Sequence, residues 1–276
     1  MFVDIRKEWA IDLQRKHDIS IAMSCGVVQI SRTAYYYQHK RKDDSEIVTE
    51  LNKITDKHSR WGFMKCFNTL RKKGFLWNHK RVHRVYVEHR FQLTAKKKQR
   101  YPKRHPDKLV TPKRFGECWS IDFMSDSLDN RIRFRTFNVI DDYNREALLC
   151  IDIGIGLPSA RVIRYLDRLA DIYGYPDKIR CDNGSEFTSH YFKAWADKHE
   201  IRIDYIEPGS PYQNGFIERF NRTYREEVLD QYLFKNLTEV QNLTADWLAQ
   251  YNDERPHESL GQMTPSEYRT NNNVYF

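Results

Sequence analysis

The sequence predicts an α/β protein, a mixed five-stranded sheet flanked by helices, preceded by small all-α modules of helix-turn-helix character. Three observations lead there. From about residue 115 onward, short apolar or alternating runs and amphipathic stretches follow one another as three strands, helix, strand, helix, strand, helix. Before residue 95 the apolar residues recur only at helical spacing. Charge is also segregated. The 276-residue chain carries a formal net charge of +8, yet Arg60 to Arg114 holds 18 Lys/Arg against 2 Asp/Glu, leaving 28 bases and 36 acids elsewhere. Such segregation builds a basic surface on one part of the molecule and makes nucleic acid the leading partner.

Composition excludes several classes. With 40% hydrophobic, 30% charged and 14% aromatic residues, the chain is expected to be globular rather than disordered. Its five cysteines, Cys25, Cys66, Cys118, Cys150 and Cys181, are scattered and never form a C-x-x-C pair, which argues for reduced thiols in a cytoplasmic protein. His79 and His83 have i,i+4 spacing but no third ligand nearby, so an ordinary basic helix face is preferred to a metal site. No apolar run reaches transmembrane length, and "MFVDIRKEWAIDLQRKHD" is too charged for a signal peptide, so no membrane partner is expected.

The elements follow in order. Residues 1–42 end in "CGVVQISRTAYYYQHK", which reads as a helix end, a tight turn and a second helix capped by Ser31. Half of a helix-turn-helix and a plain helical hairpin fit equally well, with Gln29 standing where such turns usually have glycine. Residues 43–95 hold three helices. The first has its apolar stripe at 47, 48, 51 and 54, the second stops at Gly74, and the third is capped by Asn78. The third turns 82, 85 and 86 inward while Lys80, Arg81, His83 and Arg84 face outward. That pattern fits a winged-helix or helix-turn-helix module gripping phosphates, or a merely solvated basic face. Residues 96–114, with Lys96, Lys97, Lys98 and three prolines, read as an extended basic linker able to track a DNA backbone.

Within 115–270, "ECWSIDFMS" and "RIRFRTFNVIDDY" are the first two strands, and "REALLCIDIG" is the third, reached by a turn at Asp141–Asn144. Pro158 opens an amphipathic helix that Gly174 closes. "DKIRCD" is the fourth strand, a helix starts at Thr188 or Ser189, and "IRIDYI" is the fifth strand. A long helix follows "PGSPYQNG", and 271–276 form a tail.

Three carboxylates stand out. Asp122 interrupts the apolar pattern of the first strand, Asp182 ends the fourth, and Glu218 lies on the helix after the fifth. A buried carboxylate costs several kcal/mol unless it is paired or bound to a cation. On the last helix Ile217, Phe220, Tyr224 and Val228 form the inward stripe, with Glu218, Arg222 and Arg225 on the stripe beside it. Taken singly, Asp182 reads as a turn residue and Glu218–Arg222 as an i,i+4 ion pair.

The set, however, resembles the Asp-Asp-Glu core of retroviral integrases and bacterial insertion-sequence transposases: the strand Asp, then "CDNGSEF", then Glu after 35 intervening residues. "PYQNGFIERFNRTYREEV" is similar to that family's Asn-Gly/Ala-x-x-Glu motif, with Arg225 where lysine is common. "YNDERPHESLGQMTPSEY" is similar to its C-terminal signature. "WGFMKCFNTLRKKGFLWNHKRVHRVY" resembles the helical module that precedes the core in transposases made from two overlapping reading frames, this chain corresponding to the second-frame product.

The resemblance implies a ribonuclease H-like fold, nicking at insertion-sequence ends and strand transfer. Two Mg²⁺ or Mn²⁺ ions would act once DNA is bound, about 3.5–4 Å apart. Asp122 would bridge both ions, with Asp182 and Glu218 each completing one shell. Asn183, Asn214, Arg222 and Arg225 would contact DNA near the scissile phosphate, and the basic module would supply most of the affinity. Double-stranded DNA (terminal inverted repeats and target), a homo-oligomer on DNA and a first-frame protein are the implied partners, in a bacterial, nucleoid-associated setting. A structure-selective nuclease of the same fold and a catalytically silent DNA-binding regulator are the competing readings.

Overall fold

The computed structural model describes residues 3–37, 43–93, 109–148 and 152–272; Lys96, Lys97, Lys98 and Cys150 lie outside them. The chain forms two compact units, 1–46 and 47–276.

The first unit contains three helices, α1 (Val3–His17), α2 (Ile21–Val27) and α3 (Arg32–Tyr36). Ser31 caps α3, its hydroxyl accepting from the Ala34 N–H at 3.1 Å. Gln29 supplies the turn between α2 and α3 in the left-handed region, φ 55°, in place of the usual glycine. Gln14 on α1 donates to Ser24 and Tyr35, tying the three helices together.

The helices at the start of the second unit follow the sequence pattern closely. α4 (Ser45–Lys57), α5 (Phe63–Lys72) and α6 (His79–Glu88) bury Ile47, Leu51, Ile54, Leu70, Val82, Val85 and Tyr86 around Trp61. Gly74 stands at φ 90° after α5, and Asn78 caps α6 through Lys80 N–H at 2.8 Å. Among the described residues 43–93 there are these three helices and no strand. His79 and His83 pack edge-on against Phe63. The module is fastened to the rest of the unit by Lys57–Glu254 at 2.7 Å, Asn68–Gln262 at 2.7 Å and Lys72–Glu267.

The expected mixed sheet is present. β1 (Trp119–Ser127), β2 (Arg133–Asp141), β3 (Asp152–Gly154), β4 (Lys178–Cys181) and β5 (Arg202–Tyr205) are ordered β3-β2-β1-β4-β5. β1–β2 and β2–β3 are antiparallel; β1–β4 and β4–β5 are parallel. Alternation sorts β1 and β2 between two apolar layers. Trp119, Ile121, Phe137 and Val139 join Leu166 and Leu169 of α7 (Ser159–Tyr173) and Phe192 of α9 (His190–Lys198). Met124, Phe134 and Ile140 face the opposite layer, built on Ile217, Phe220 and Tyr224 of α10 (Gly215–Tyr224) and Val240, Trp247 and Tyr251 of α11 (Leu237–Asp253).

Three details differ from expectation. The helix foreseen at Thr188 or Ser189 is two pieces, a single turn α8 (Ser185–Thr188) and then α9, because Ser189 is extended and caps α9 through Phe192 N–H at 3.2 Å. α10 continues through a π-helical turn, Arg225–Leu229. α11 and α12 (Pro265–Asn272) had no counterpart in the sequence reading, and α12 crosses the boundary drawn at 270. Four cysteines, Cys25, Cys66, Cys118 and Cys181, are buried free thiols as expected.

Phe137 is fully buried between Phe123, Tyr165 and Phe187, joining β1, α7 and the turn after β4. Phe137→Ala is expected to cost about 3–5 kcal/mol in urea denaturation, with the slope of the transition unchanged.

Candidate active site

Parallel pairing brings the two aspartates together. Ser120 of β1 is opposite Arg180 of β4, and two residues further along lie Asp122 and Asp182. Pleat alternation turns Asp122 toward α10, and Glu218 stands in the first turn of that helix. All three carboxylates line one cleft of about 540 Å³, with Asn183, Gly184, Asn214 and the Ile206–Ser210 loop completing its walls. The sequence placed these residues correctly on strand, strand end and helix.

Asp122 is the best-anchored of the three. Its Oδ1 accepts from the Phe123 N–H at 2.8 Å, and its Oδ2 from Asn221 Nδ2 at 2.7 Å. Asn221 Oδ1 in turn accepts from Asn138 Nδ2 at 2.7 Å. Asn138 is the β2 partner of Asp122 in the sheet register, so the two residues and Asn221 form one polar seam between sheet and helix. Sequence reasoning missed Asn138 and Asn221. The available signal was a polar residue within the buried stretches "TFNVI" and "RFNRTY".

Asp182 is exposed and forms the turn that its sequence context suggests, its Oδ1 accepting from the Gly184 N–H at 3.0 Å. A Cβ at Gly184 would stand 3.0 Å from that same oxygen, so a side chain here would push the Asp182 carboxylate aside by a few tenths of an ångström. Asn183 donates to the Ile206 carbonyl at 2.8 Å, pinning the Asp182 turn to the end of β5. Asn214 is buried. Its Nδ2 donates to the Ile121 carbonyl at 3.3 Å, and its Oδ1 has no partner among the described residues.

The basic candidates divide. Arg222 is exposed, and no salt bridge joins it to Glu218 among the described residues, so the simple helix ion pair is not formed. Arg225 pairs with Asp126 at 3.2 Å and donates to the Ser125 carbonyl at 2.8 Å, clamping the end of α10 to β1. Arg84 is paired with Glu88 at 2.7 Å, Arg81 is half-buried and has a partner of its own, and Lys80 is exposed at the start of α6.

Electrostatics point to uncompensated negative charge. Burial pushes the Asp122 carboxyl up to about 6, and the charges of Asp182 and Glu218 push the same way. The Phe123 and Asn221 hydrogen bonds oppose them. An all-oxygen donor set suits a hard divalent cation. Among the described residues no three His, Cys, Asp or Glu side chains are grouped closely enough to hold an ion by themselves. An ion in this cleft therefore depends on water or phosphate oxygens as well, as Mg²⁺ commonly does.

A carboxyl whose pKa is raised by folding binds its proton more tightly in the native state, so it weakens the fold as pH rises from about 4 through 6. Relative to Asp122→Asn, which cannot titrate here, the wild type is therefore expected to lose up to about 3 kcal/mol between pH 4 and pH 8 in chelator, on top of a constant cost to the variant for setting an amide N–H2 against one of the two donors. Urea denaturation of both proteins at the two pH values checks the difference.

Two models of the integrase core domain match residues 112–211 and 199–265, which together span the sheet and α10 and continue into the C-terminal helices. An uncharacterized 39.2 kDa protein of insertion element IS476 from Xanthomonas euvesicatoria is 34% identical over 270 residues, covering 96% of this chain and 77% of the relative. Transposase InsD for insertion element IS2 from Escherichia coli is 25% identical over 241 residues, covering 83% of this chain and 80% of the relative. A chain of the simian T-cell lymphotropic virus intasome structure, in complex with PP2A regulatory subunit B56 gamma, superposes with TM-score 0.52 at 17% identity. It covers 82% of this chain and 76% of that one, which bears on fold alone. Among the described residues no helix is long and apolar enough to cross a membrane. The chain belongs to the insertion-sequence transposase family, to the second-reading-frame type whose catalytic part is an integrase core with a ribonuclease H-like fold.

Proposed function

We propose that this chain cleaves DNA at the ends of an insertion sequence and joins the freed 3′ end to a second duplex, with Asp122, Asp182 and Glu218 as its catalytic carboxylates. The observation that carries the reading is their convergence on one cleft, with a half-buried Asp122 whose charge its neighbours oppose.

The residues divide the work. Asp122, held from both sides by Phe123 N–H and Asn221, would be the most firmly positioned ligand of the set. Asp182, on a turn, and Glu218, on a helix, would add their carboxylate oxygens to it. Two Mg²⁺ or Mn²⁺ ions held there would supply activation of the attacking oxygen and stabilisation of the leaving 3′ oxygen. Exposed Arg222 would contact the phosphate backbone, and Arg225 keeps the Glu218 helix against β1. Asn183 and Asn214 act first on the protein, fastening the Asp182 turn and the start of α10, and through them on the substrate. The α4–α6 module, with Lys80 exposed, adds sequence-independent contacts to DNA. Homo-oligomerisation on DNA and association with a first-frame protein belong to the same reading, as does action on DNA in the bacterial cytoplasm.

Pre-cut insertion-sequence ends with free 3′-OH groups, offered with a second duplex and Mg²⁺ or Mn²⁺, test this reading. Joined products are expected, and hydrolysis alone would mark a nuclease. Asp122→Ala, Asp182→Ala and Glu218→Ala should each lower joining by at least about 10³-fold while leaving duplex binding in chelator within about twofold. Full activity in any one of them would remove that residue from the catalytic set.

A further inference from the structure

A second cavity, of about 800 Å³, lies where the α4–α6 module meets the catalytic core, and its lining is basic. Lys65 comes from α5, Arg219 from α10, Arg145 from the turn after β2, and Arg255 and His257 from the segment after α11. Arg255 is neutralised by Glu227. Lys65, Arg145 and Arg219 have no carboxylate partner among the described residues, and Glu258 is the one acid on the wall. Lys65, Arg145, Arg219 and Arg255 thus share one cavity whose wall carries a single carboxylate, Glu258, with Glu227, Asp141 and Asp142 acting from behind it.

Two atoms at this wall lack a hydrogen-bond partner. Arg145 Nη1 and His257 Nε2 are both buried from solvent and unpaired among the described residues. Arg145 is half-buried, with its guanidinium 3.5 Å above the Phe216 ring. A buried guanidinium N–H without an acceptor costs free energy comparable to a lost charged hydrogen bond. Nη1 itself is closed to solvent, so a ligand in the cavity would meet Arg145 through the rest of its side chain.

We propose that this cavity is a binding site for a phosphate group, carried either by a DNA strand or by a free phosphate compound, held between Lys65 of the helical module and Arg145 and Arg219 of the core. A phosphate offers several acceptor oxygens in different directions, which suits cations arriving from four separate segments. The residues also show the cost of standing together without an anion. Burial first, then Arg255 and Arg219, pull the Lys65 ammonium down to about 8. Burial, Arg255, Lys65, Arg145 and Arg219 pull His257 down to about 3, so it stays neutral. Arg219 is the neighbour of Glu218 on α10, so one helical turn serves both sites. DNA as the source rests on the function proposed above; the phosphate chemistry does not.

Calorimetric titration of the full chain with inorganic pyrophosphate, in chelator and without DNA, tests the site. One saturable event per chain is expected, weakened about tenfold or more in Arg219→Gln and in Lys65→Gln. Arg219 is exposed, so its variant reports on binding without disturbing the core. Duplex binding across a salt series separates the sources. A log–log slope shallower by about one in Arg219→Gln, with competition by pyrophosphate, assigns the phosphate to DNA. An unchanged slope with lost pyrophosphate binding assigns it to a free compound. Absence of saturable pyrophosphate binding with an unchanged slope, or equal binding in the wild type and both variants, overturns the proposal. None of these readouts requires cleavage, so failure here leaves the three-carboxylate reading untouched, and the reverse holds too.

Discussion

Much of this structure depends on the hydrogen bond from Asn221 to Asp122, which lets a carboxylate stand inside the layer between the central strand and α10. A carboxylate on that face would otherwise be a plain loss, since neighbouring Met124 and Ile217 are part of an apolar layer. Asn221 offsets part of that loss and, through Asn138, fixes the helix to two strands at once. Ile217, Phe220 and Tyr224 supply the apolar grip, and the polar seam sets its register. Where α10 sits determines where Glu218 points.

α10 is thus the shared element of the molecule. Its N-terminal turn is held by Asn214 to the β1 backbone, and its far end by Arg225 to Ser125 and Asp126. Between these clamps, Glu218 lines the acidic cleft while Arg219 lines the basic cavity. Successive helical residues are about 100° apart, so a single helix can present opposite charge to two clefts without either charge meeting the other. Arg225 is better placed as a clamp than as a free DNA contact, and its bidentate fork suits that role more than an ammonium would.

Acids and bases play distinct parts in this protein. The uncompensated acids are gathered where β1, β4 and α10 approach one another, and burial first, then the charges of Asp182 and Glu218, raise the Asp122 pKa. Unpaired bases gather where the helical module meets the core. Much of the remaining charge is spent internally, as in the buried Arg180–Asp142 pair at 2.8 Å and the Arg255–Glu227 pair. Counting bases along the chain does not separate these classes, because pairing is a property of the folded surface.

What the sequence determined by itself is local or periodic. The three helices of residues 45–88, the caps at Ser31 and Asn78, the five strands and the inward stripe of α10 follow from side-chain spacing and backbone preference. The order of strands also made Asp122 and Asp182 neighbours once β1 pairs with β4. Tertiary structure decided the rest. α11 carries Thr244 among its buried residues and escaped notice, because its place is set by the layer it covers rather than by a clean stripe. Ser189 broke one expected helix into two through a single extended residue. Asn138 and Asn221 look like ordinary polar residues until the sheet and helix meet. The basic cavity draws on Lys65, Arg145, Arg219, Arg255 and His257, spread over nearly two hundred residues of chain. Only packing brings such distant charges together, and no local pattern encodes which of them will be left without a partner.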